Sequence, residues 1–226
     1  YTSYPTAPHF SAKVGPADMR AWLAGLTGRS TLSLYLHVPF CRSMCHYCGC
    51  HTKAVRQDAP LEAYATTMVQ EIDLLAGAMR AKRVEHIHWG GGTPSQLGAE
   101  RLAILAQRLR NHFDLSGVRE HAIELDPRYV DEMLASTLAA MGVNRVSFGV
   151  QDINLQVQTA IGRLQPPERV EKSIAFVRAA GIAAVNLDLM YGLPHQGEAE
   201  VRRTARWAAD LAPARLAIFG YAHAVS

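Results

Sequence analysis

The chain has 226 residues, of which 49% are hydrophobic and 19% are charged. This balance is typical of a globular protein and excludes the disordered and fibrous classes. The net charge of +3 is too small to indicate nucleic-acid binding, and no apolar run reaches the roughly 18 residues of a membrane span. The opening YTSYPTAPHF lacks the basic start and apolar run of a signal peptide, so a cytoplasmic protein is expected.

Short segments rich in β-branched or aromatic residues alternate with longer segments whose apolar residues have helical spacing. The predicted strands are Leu32–Val38, His86–Trp89, His121–Leu125, Arg145–Val150, Ala184–Met190 and Leu216–Tyr221. The predicted helices are Pro60–Met79, Ser95–Phe113, Val130–Met141, Pro167–Ala180 and Ala199–Leu211. Gly142 and Gly181 each follow a helix directly, where glycine adopts the left-handed conformation without a clash. This alternation predicts an α/β fold with a parallel sheet.

Polar residues and glycines follow every predicted strand. A cysteine segment follows the first strand, GGGTP the second, Asp126 the third, Gln151 the fourth, YGLP the fifth, and Ala222 with His223 the sixth. Because the carboxyl ends of parallel strands meet at one edge, these residues are expected to share one site. Six strands are fewer than the eight of a full barrel, which favours a partial barrel.

All four cysteines lie between Cys41 and Cys50, in the spacing C-x3-C-x2-C-x-C. Disulfides would close loops too short to stabilise the fold, so these thiols indicate metal or cluster ligands. The spacing differs from that of zinc ribbons and of bacterial ferredoxins. It favours an iron–sulfur cluster with one iron left open, and a small zinc loop that uses all four thiols remains the alternative.

The motifs carry a resemblance that runs from end to end of the chain. C-x3-C-x2-C after the first strand and GGGTP after the second are similar to the radical S-adenosylmethionine (SAM) enzymes. More specifically, YTSYPTA, LYLHVPFCRSMCHYCGC, HWGGGTPSQL, IELDPR, RVSFGVQD, NLDLMYGLP and FGYAH resemble the oxygen-independent coproporphyrinogen III dehydrogenase (oxidase) family of haem biosynthesis. The resemblance implies a partial (β/α)6 TIM-like barrel of the radical SAM type.

The resemblance also implies a set of cofactor-binding residues. A [4Fe–4S] cluster would be bound by Cys41, Cys45 and Cys48, with Cys50 near it as a non-ligand. The first SAM molecule would contact Tyr35, Gly91 and Glu124. The second SAM molecule would contact Tyr47, Gly92, Thr93, Gln151, Arg163, Asp188 and Ala222.

Several of these residues also have an ordinary interpretation. Glu124 and Asp126 are compatible with solvated charges at a strand end, and Arg163 with a surface arginine. Asp188 lies within an apolar strand, where a carboxylate needs a partner. His86 and His88 share one strand face, and we predict a packing or substrate-facing role for them because the thiolates already account for the metal.

The implied reaction is the anaerobic oxidative decarboxylation of two propionates of coproporphyrinogen III to vinyl groups, which gives protoporphyrinogen IX. A 5′-deoxyadenosyl radical made from SAM would drive it, with flavodoxin or ferredoxin as electron donor and a monomer as the working form. A haem-binding chaperone and a radical SAM methyltransferase on the same scaffold are alternatives. The expected organisation is an N-terminal extension over residues 1–30 and a barrel over 31–226, without the family's C-terminal substrate-covering domain.

Overall fold

The computed structural model describes residues 7–222, so the beginning of the YTSYPTA motif and His223 lie outside the described residues. The strands are β1 (Thr31–Val38), β2 (Phe40–Cys41), β3 (Lys53–Ala54), β4 (Arg83–Gly91), β5 (Glu120–Leu125), β6 (Arg145–Gln151), β7 (Ala184–Tyr191) and β8 (Arg215–Gly220). The α-helices are α1 (Pro16–Gly25), α2 (Ala59–Ala78), α3 (Ala99–His112), α4 (Glu132–Met141), α5 (Leu155–Ala160), α6 (Pro167–Ala179) and α7 (Glu198–Asp210).

The six predicted strands form one parallel sheet in the order β1-β4-β5-β6-β7-β8. Each strand pairs with the next one along this order, and the described residues contain no ladder between the edge strands β1 and β8. The sheet is therefore open, in agreement with the predicted partial barrel. The α/β class is confirmed.

The sheet has an apolar face and a polar face. A sequential strand order with right-handed crossovers places the connecting helices on one face. Along β1, Leu36 and Val38 are buried against that helical layer, whereas Ser33 and Tyr35 alternate with them and are exposed. The core between sheet and helices contains the largest fully buried side chains, Trp89 and Phe148 among them. Polar side chains are thereby left to the opposite face, where a ligand has access.

Some predicted boundaries are wrong, each for a local reason. The predicted helix Ser95–Phe113 is a 3₁₀ turn, Pro94–Leu97, followed by α3, because Gly98 between them has a φ of +85°. The predicted helix Val130–Met141 begins instead at Glu132, where the Asp131 carboxylate accepts a hydrogen bond from the Leu134 backbone amide at 2.8 Å.

Other differences concern the ends of strands and short elements. The glycines Gly90 and Gly91 are the last residues of β4, and Gln151 is the last residue of β6, rather than following these strands. The sequence pattern did not predict α1, α5 or the β2–β3 pair. Short segments such as the six-residue α5 contain too few turns to show a period.

Glycine ends two helices as predicted. Gly142 after α4 has a φ of +88°, and Gly181 after α6 has a φ of +95°. Both occupy the left-handed region in which a Cβ is unfavourable, and each leads into a strand.

Across the described residues, none of the helices combines the length and apolarity needed to cross a lipid bilayer.

Candidate functional site

A cleft of about 220 Å³ lies at the carboxyl ends of β4 to β7, beside the cysteine loop. Nearly all of the predicted site residues line it, from six separate segments of the chain. Those lining it are Cys41, Cys45, Tyr47, Cys48, Cys50, Gly91, Gly92, Thr93, Glu124, Gln151, Arg163 and Asp188. Tyr35 and Ala222 do not line it; Tyr35 lines a separate cleft between β1 and α2, and Ala222 is exposed just after β8.

The cysteine loop is fixed at both ends and in its middle. The β2–β3 pair closes it, because Val55 donates its backbone N–H to the Cys41 carbonyl at 2.8 Å. The His46 backbone amide donates to the Ile161 carbonyl at 2.9 Å, and its Nδ1 lies 2.9 Å from the Ala160 carbonyl. The unpredicted helix α5 therefore anchors the segment that carries the thiols.

The four thiols have different polar neighbours. Cys41 Sγ lies 3.5 Å from the hydroxyls of both Thr52 and Thr93. Cys48 is hydrogen-bonded by the side chain of Cys50, and this contact lowers the pKa of the Cys48 thiol to about 6 while the pKa of Cys50 is raised. Cys48 is thus favoured as a thiolate and Cys50 as its neutral donor, a difference that suits one ligand and one non-ligand.

The donor set fits an iron–sulfur cluster better than a single ion. A zinc ion needs four ligands about 2.0–2.3 Å from one point. Among residues 7–222, no group of three or more His, Cys, Asp or Glu side chains converges in that way. Thiolates that bind different irons of a cluster need only face the same space, as Cys41, Cys45 and Cys48 do in this cleft. The arrangement favours the cluster over the zinc loop.

The GGG segment brings backbone to the wall of this cleft. A Cβ on Gly92 would lie 2.2 Å from Thr52 Oγ1 and 2.7 Å from the Phe40 carbonyl oxygen. Gly91 has a φ of +117°, and a Cβ there would lie 2.9 Å from the Val38 carbonyl oxygen. Only glycine allows the end of β4 to pack this tightly beneath the cysteine loop.

Glu124 is held by its neighbours on β4. Its Oε2 accepts a hydrogen bond from the Gly91 backbone amide at 3.3 Å, and its Oε1 lies 3.0 Å from His88 Nε2. The His88 ring stacks on Tyr35 with a centroid separation of 5.8 Å. A Cβ on Gly90 would be 3.0 Å from both Tyr35 Oη and Glu124 Oε1, so both side chains border this glycine. His88 therefore packs against two of the predicted site residues, and a substrate-facing role for it stays a prediction.

Asp188 has neutral partners that the sequence pattern did not identify. Ser147 Oγ donates to Asp188 Oδ2 at 2.9 Å, and Asn186 Nδ2 donates to Oδ1 at 2.8 Å. Burial raises the pKa of Asp188, and these two hydrogen bonds act in the opposite direction. The period-two spacing of Ser147 with Gly149, and of Asn186 with Asp188, is the signal that could have revealed them.

Gln151 occupies an unusual backbone conformation at the edge of the cleft. Its φ is +68°, and the β6–β7 register shifts between Gly149 and Gln151. A bulge with a left-handed non-glycine residue costs on the order of 1–3 kcal/mol and is enriched at functional sites. Nearby, Tyr47 packs against the apolar side chains of Val157 and Leu193.

Arg163 and Asp126 are buried, which corrects the surface interpretation of both. Arg163 is 8% exposed and Asp126 is 5% exposed. Asp126 accepts hydrogen bonds from the Arg128 guanidinium at 2.7–3.1 Å and lies 3.5 Å from Arg163 Nη1. Burial alone would raise the pKa of Asp126, but the two arginines hold it below its usual value.

Curated relatives match almost the whole of this chain. Oxygen-independent coproporphyrinogen III oxidase from Bradyrhizobium diazoefficiens is 47% identical over 224 residues, which make up 99% of this chain and 50% of that protein. The enzyme of the same name from Escherichia coli is 39% identical over 223 residues, 99% of this chain and 49% of that protein. The chain thus spans about half the length of the curated relatives it matches.

A solved structure also matches almost the whole of this chain. Coproporphyrinogen III oxidase (HemN) from Escherichia coli, a radical SAM enzyme, matches with a TM-score of 0.92 at 38% identity, over 99% of this chain and 51% of that chain. These matches confirm the resemblance inferred from the motifs. The radical SAM superfamily model covers residues 35–208. Because this region is more than half of the chain, the protein belongs to the radical SAM superfamily.

Proposed function

We propose that this chain is the catalytic barrel of an enzyme that converts two propionates of coproporphyrinogen III to vinyl groups without oxygen. Superfamily membership implies a [4Fe–4S] cluster and SAM. The observation that carries the proposal is the cleft in which Cys41, Cys45 and Cys48 meet the GGG segment. Relatives 37–47% identical over almost the whole chain, all named for coproporphyrinogen III oxidation, support the substrate.

In this proposal Cys41, Cys45 and Cys48 bind the cluster and Cys50 stays nearby as a donor to Cys48. The exposure of Cys50 supports this division, because the other three cysteines are partly buried. When bound, the reduced cluster and SAM supply a 5′-deoxyadenosyl radical that removes a hydrogen atom from a propionate. The side chain would then lose CO2 and pass one electron to an external acceptor, which leaves a vinyl group.

Tyr35, Gly91 and Glu124 are proposed to hold the first SAM. The Glu124 carboxylate accepts hydrogen bonds, which suits ribose hydroxyls or an ammonium group. The Gly91 amide and His88 hold it in place at 3.3 Å and 3.0 Å. The absence of a side chain at Gly91 lets a ligand approach the end of β4.

A second SAM is proposed to lie on the β6–β7 side of the same cleft. Its contacts would be Tyr47, Gly92, Thr93, Gln151, Arg163, Asp188 and Ala222. All of these except Ala222 line the cleft. Asp188 is suited to accept hydrogen bonds because Ser147 and Asn186 orient both of its oxygens.

We also propose that the enzyme works as a cytoplasmic monomer that takes electrons from flavodoxin or ferredoxin. The basis is chemical: free thiolates and a reducible cluster require a reducing compartment, and the reaction needs a one-electron donor. The division into an N-terminal extension over residues 1–30 and a barrel over 31–226 remains part of the proposal.

Anaerobic incubation of the reconstituted chain with coproporphyrinogen III, SAM and a chemical reductant tests the proposed function. The products are identified by mass spectrometry. The proposal expects loss of two CO2 molecules and formation of protoporphyrinogen IX. A methylated tetrapyrrole would identify a methyltransferase instead, and haem transfer without turnover would identify a chaperone. Because the relatives are twice as long, a full-length relative assayed in parallel serves as the positive control.

A further inference from the structure

We propose that Arg163, oriented by Asp126, donates a hydrogen bond to the Cys45 sulfur and thereby raises the reduction potential of the cluster. This is a role in addition to any contact with a second SAM. It rests on the proposed cluster ligands, and it does not depend on the identity of the substrate.

The guanidinium of Arg163 is held in one orientation by the protein. Its Nε donates to Gln165 Oε1 at 3.1 Å, and its Nη2 donates to the Gly149 carbonyl oxygen at 2.8 Å. Its Nη1 lies 3.5 Å from Asp126 Oδ2. Since the residue is 8% exposed, water is a poor substitute for these acceptors.

The same Nη1 atom reaches the cysteine loop. It donates to Cys45 Sγ at 3.5 Å, a normal length for a hydrogen bond to sulfur. Arginine stays protonated in proteins, and the buried Asp126 carboxylate 3.5 Å away balances its charge. A fixed cation therefore lies beside one of the proposed ligand sulfurs.

A cationic donor stabilises the redox state in which the sulfur carries more negative charge. Reduction adds an electron that is shared between the irons and their sulfurs, so the hydrogen bond is stronger in the reduced state. Hydrogen bonds to the sulfurs and net charge near a cluster are established determinants of its potential. Loss of the Arg163 contact should therefore make the cluster harder to reduce.

Arg128 provides a matched control. It pairs with the same carboxylate, its Nη2 donating to Asp126 Oδ2 at 2.7 Å, but no thiol within residues 7–222 is among its partners. Arg163→Gln and Arg128→Gln each remove one positive charge from Asp126. The hydrogen bond to sulfur is lost in Arg163→Gln alone.

The test is an anaerobic redox titration of the reconstituted chain without SAM, followed by electron paramagnetic resonance (EPR). At a fixed potential we expect the ratio of reduced to oxidised cluster to fall about tenfold in Arg163→Gln, or about 59 mV for a one-electron couple. Arg128→Gln should shift it by less than about threefold, since Arg128 is paired with Asp126 and donates no hydrogen bond to the Cys45 sulfur.

If Arg163→Gln binds no cluster, the same titration is carried out on Arg163→Lys. Lysine keeps the charge but cannot make the guanidinium's forked contacts, so a smaller shift in the same direction is expected. Equal potentials in the parent and both Arg163 variants would overturn the inference, as would an equal shift in Arg128→Gln. Omitting SAM matters because a residue that acts only on a second SAM leaves this potential unchanged. The turnover assay described above tests the proposed function separately.

Discussion

At the scale of single residues, the four thiols are distinguished by their neighbours rather than by their spacing. Cys41 has two hydroxyl neighbours, Cys45 has a guanidinium, and Cys48 has the thiol of Cys50. Each proposed ligand therefore has a hydrogen-bonding group that supports a thiolate. Cys50 is the exposed member of the set and acts as a donor.

This difference predicts unequal effects of four serine substitutions. Cys41→Ser, Cys45→Ser and Cys48→Ser should each abolish the cluster, because serine is a poor ligand for iron in this setting. Cys50→Ser should keep it, since a hydroxyl also donates to the Cys48 sulfur. Iron and sulfide per chain after anaerobic reconstitution are the measurements, and a full iron load in Cys45→Ser would contradict the ligand assignment.

His121 is a second residue whose chemistry is set by its surroundings. It is 3% exposed, and its Nε2 accepts a hydrogen bond from the Trp89 indole at 2.8 Å. Burial, followed by the charge of Arg110, lowers the pKa of His121 from 6.5 to about 4. The neutral ring that accepts this bond is thus part of the folded core.

Stability should consequently fall as the pH falls from 6.5 towards 4. The unfolded state binds a proton on His121 in that range and the folded state does not, so the full stabilisation is present above pH 6.5. Linkage gives a loss of about 2 kcal/mol in the free energy of unfolding at pH 5 relative to pH 7. Urea titrations at both pH values measure this loss. His121→Gln should remove most of the difference; an unchanged difference would refute the assignment.

At the scale of secondary-structure elements, glycine sets several boundaries. Gly142 ends α4 in the left-handed region, and its backbone amide donates to the carbonyl oxygens of Leu138 and Ala139. Gly77, by contrast, lies inside α2, and none of the described side-chain or backbone neighbours comes within 4 Å of a Cβ added there.

Alanine should therefore have opposite effects at these two glycines. Gly142→Ala should destabilise the chain by about 1–2 kcal/mol, because a Cβ is strained at a φ of +88°. Gly77→Ala should stabilise it by roughly 0.5–1 kcal/mol through helix propensity. Midpoints of urea unfolding at constant slope provide the comparison. Destabilisation by both substitutions would mean that the α4 cap is not the cause.

Helices and strands with a regular spacing of apolar residues could be predicted from the sequence. Short elements and breaks within a regular pattern could not. The strands of the sheet were found because β-branched and aromatic residues mark them, and their order follows from the alternation with helices. The break at Gly98 was missed because the apolar spacing of Ser95–Phe113 continues across it. The two-residue strands β2 and β3 are too short to carry any pattern.

The sequence predicted which residues form the candidate site, but not which side chains contact one another within it. The family motifs and the strand ends indicated which residues meet, and the cleft contains nearly all of them. The burial of Arg163 was not predictable, because its partners Asp126 and Cys45 are distant in sequence and come close only through the parallel sheet. The positions of Tyr35 and Ala222 outside the cleft likewise depend on tertiary structure.

At the scale of the whole molecule, one open parallel sheet brings the cleft residues together within a chain that spans about half the length of its relatives. The residues that line the cleft all come from the loop after β1 and from the carboxyl ends of the next four strands of the sheet, together with Arg163 after α5. The superfamily match over residues 35–208 includes every one of them. We therefore expect this chain to assemble its cluster and bind SAM by itself.

The most direct test of this account is the EPR spectrum of the reduced, reconstituted chain before and after SAM is added, with 5′-deoxyadenosine measured in the same samples. If three cysteines leave one iron open to SAM, the spectrum should change on addition of SAM, and 5′-deoxyadenosine should form. Cys45→Ser should give neither result. A full cluster whose spectrum is unaffected by SAM, with SAM recovered intact, would contradict the central claim that this cleft is a radical SAM site.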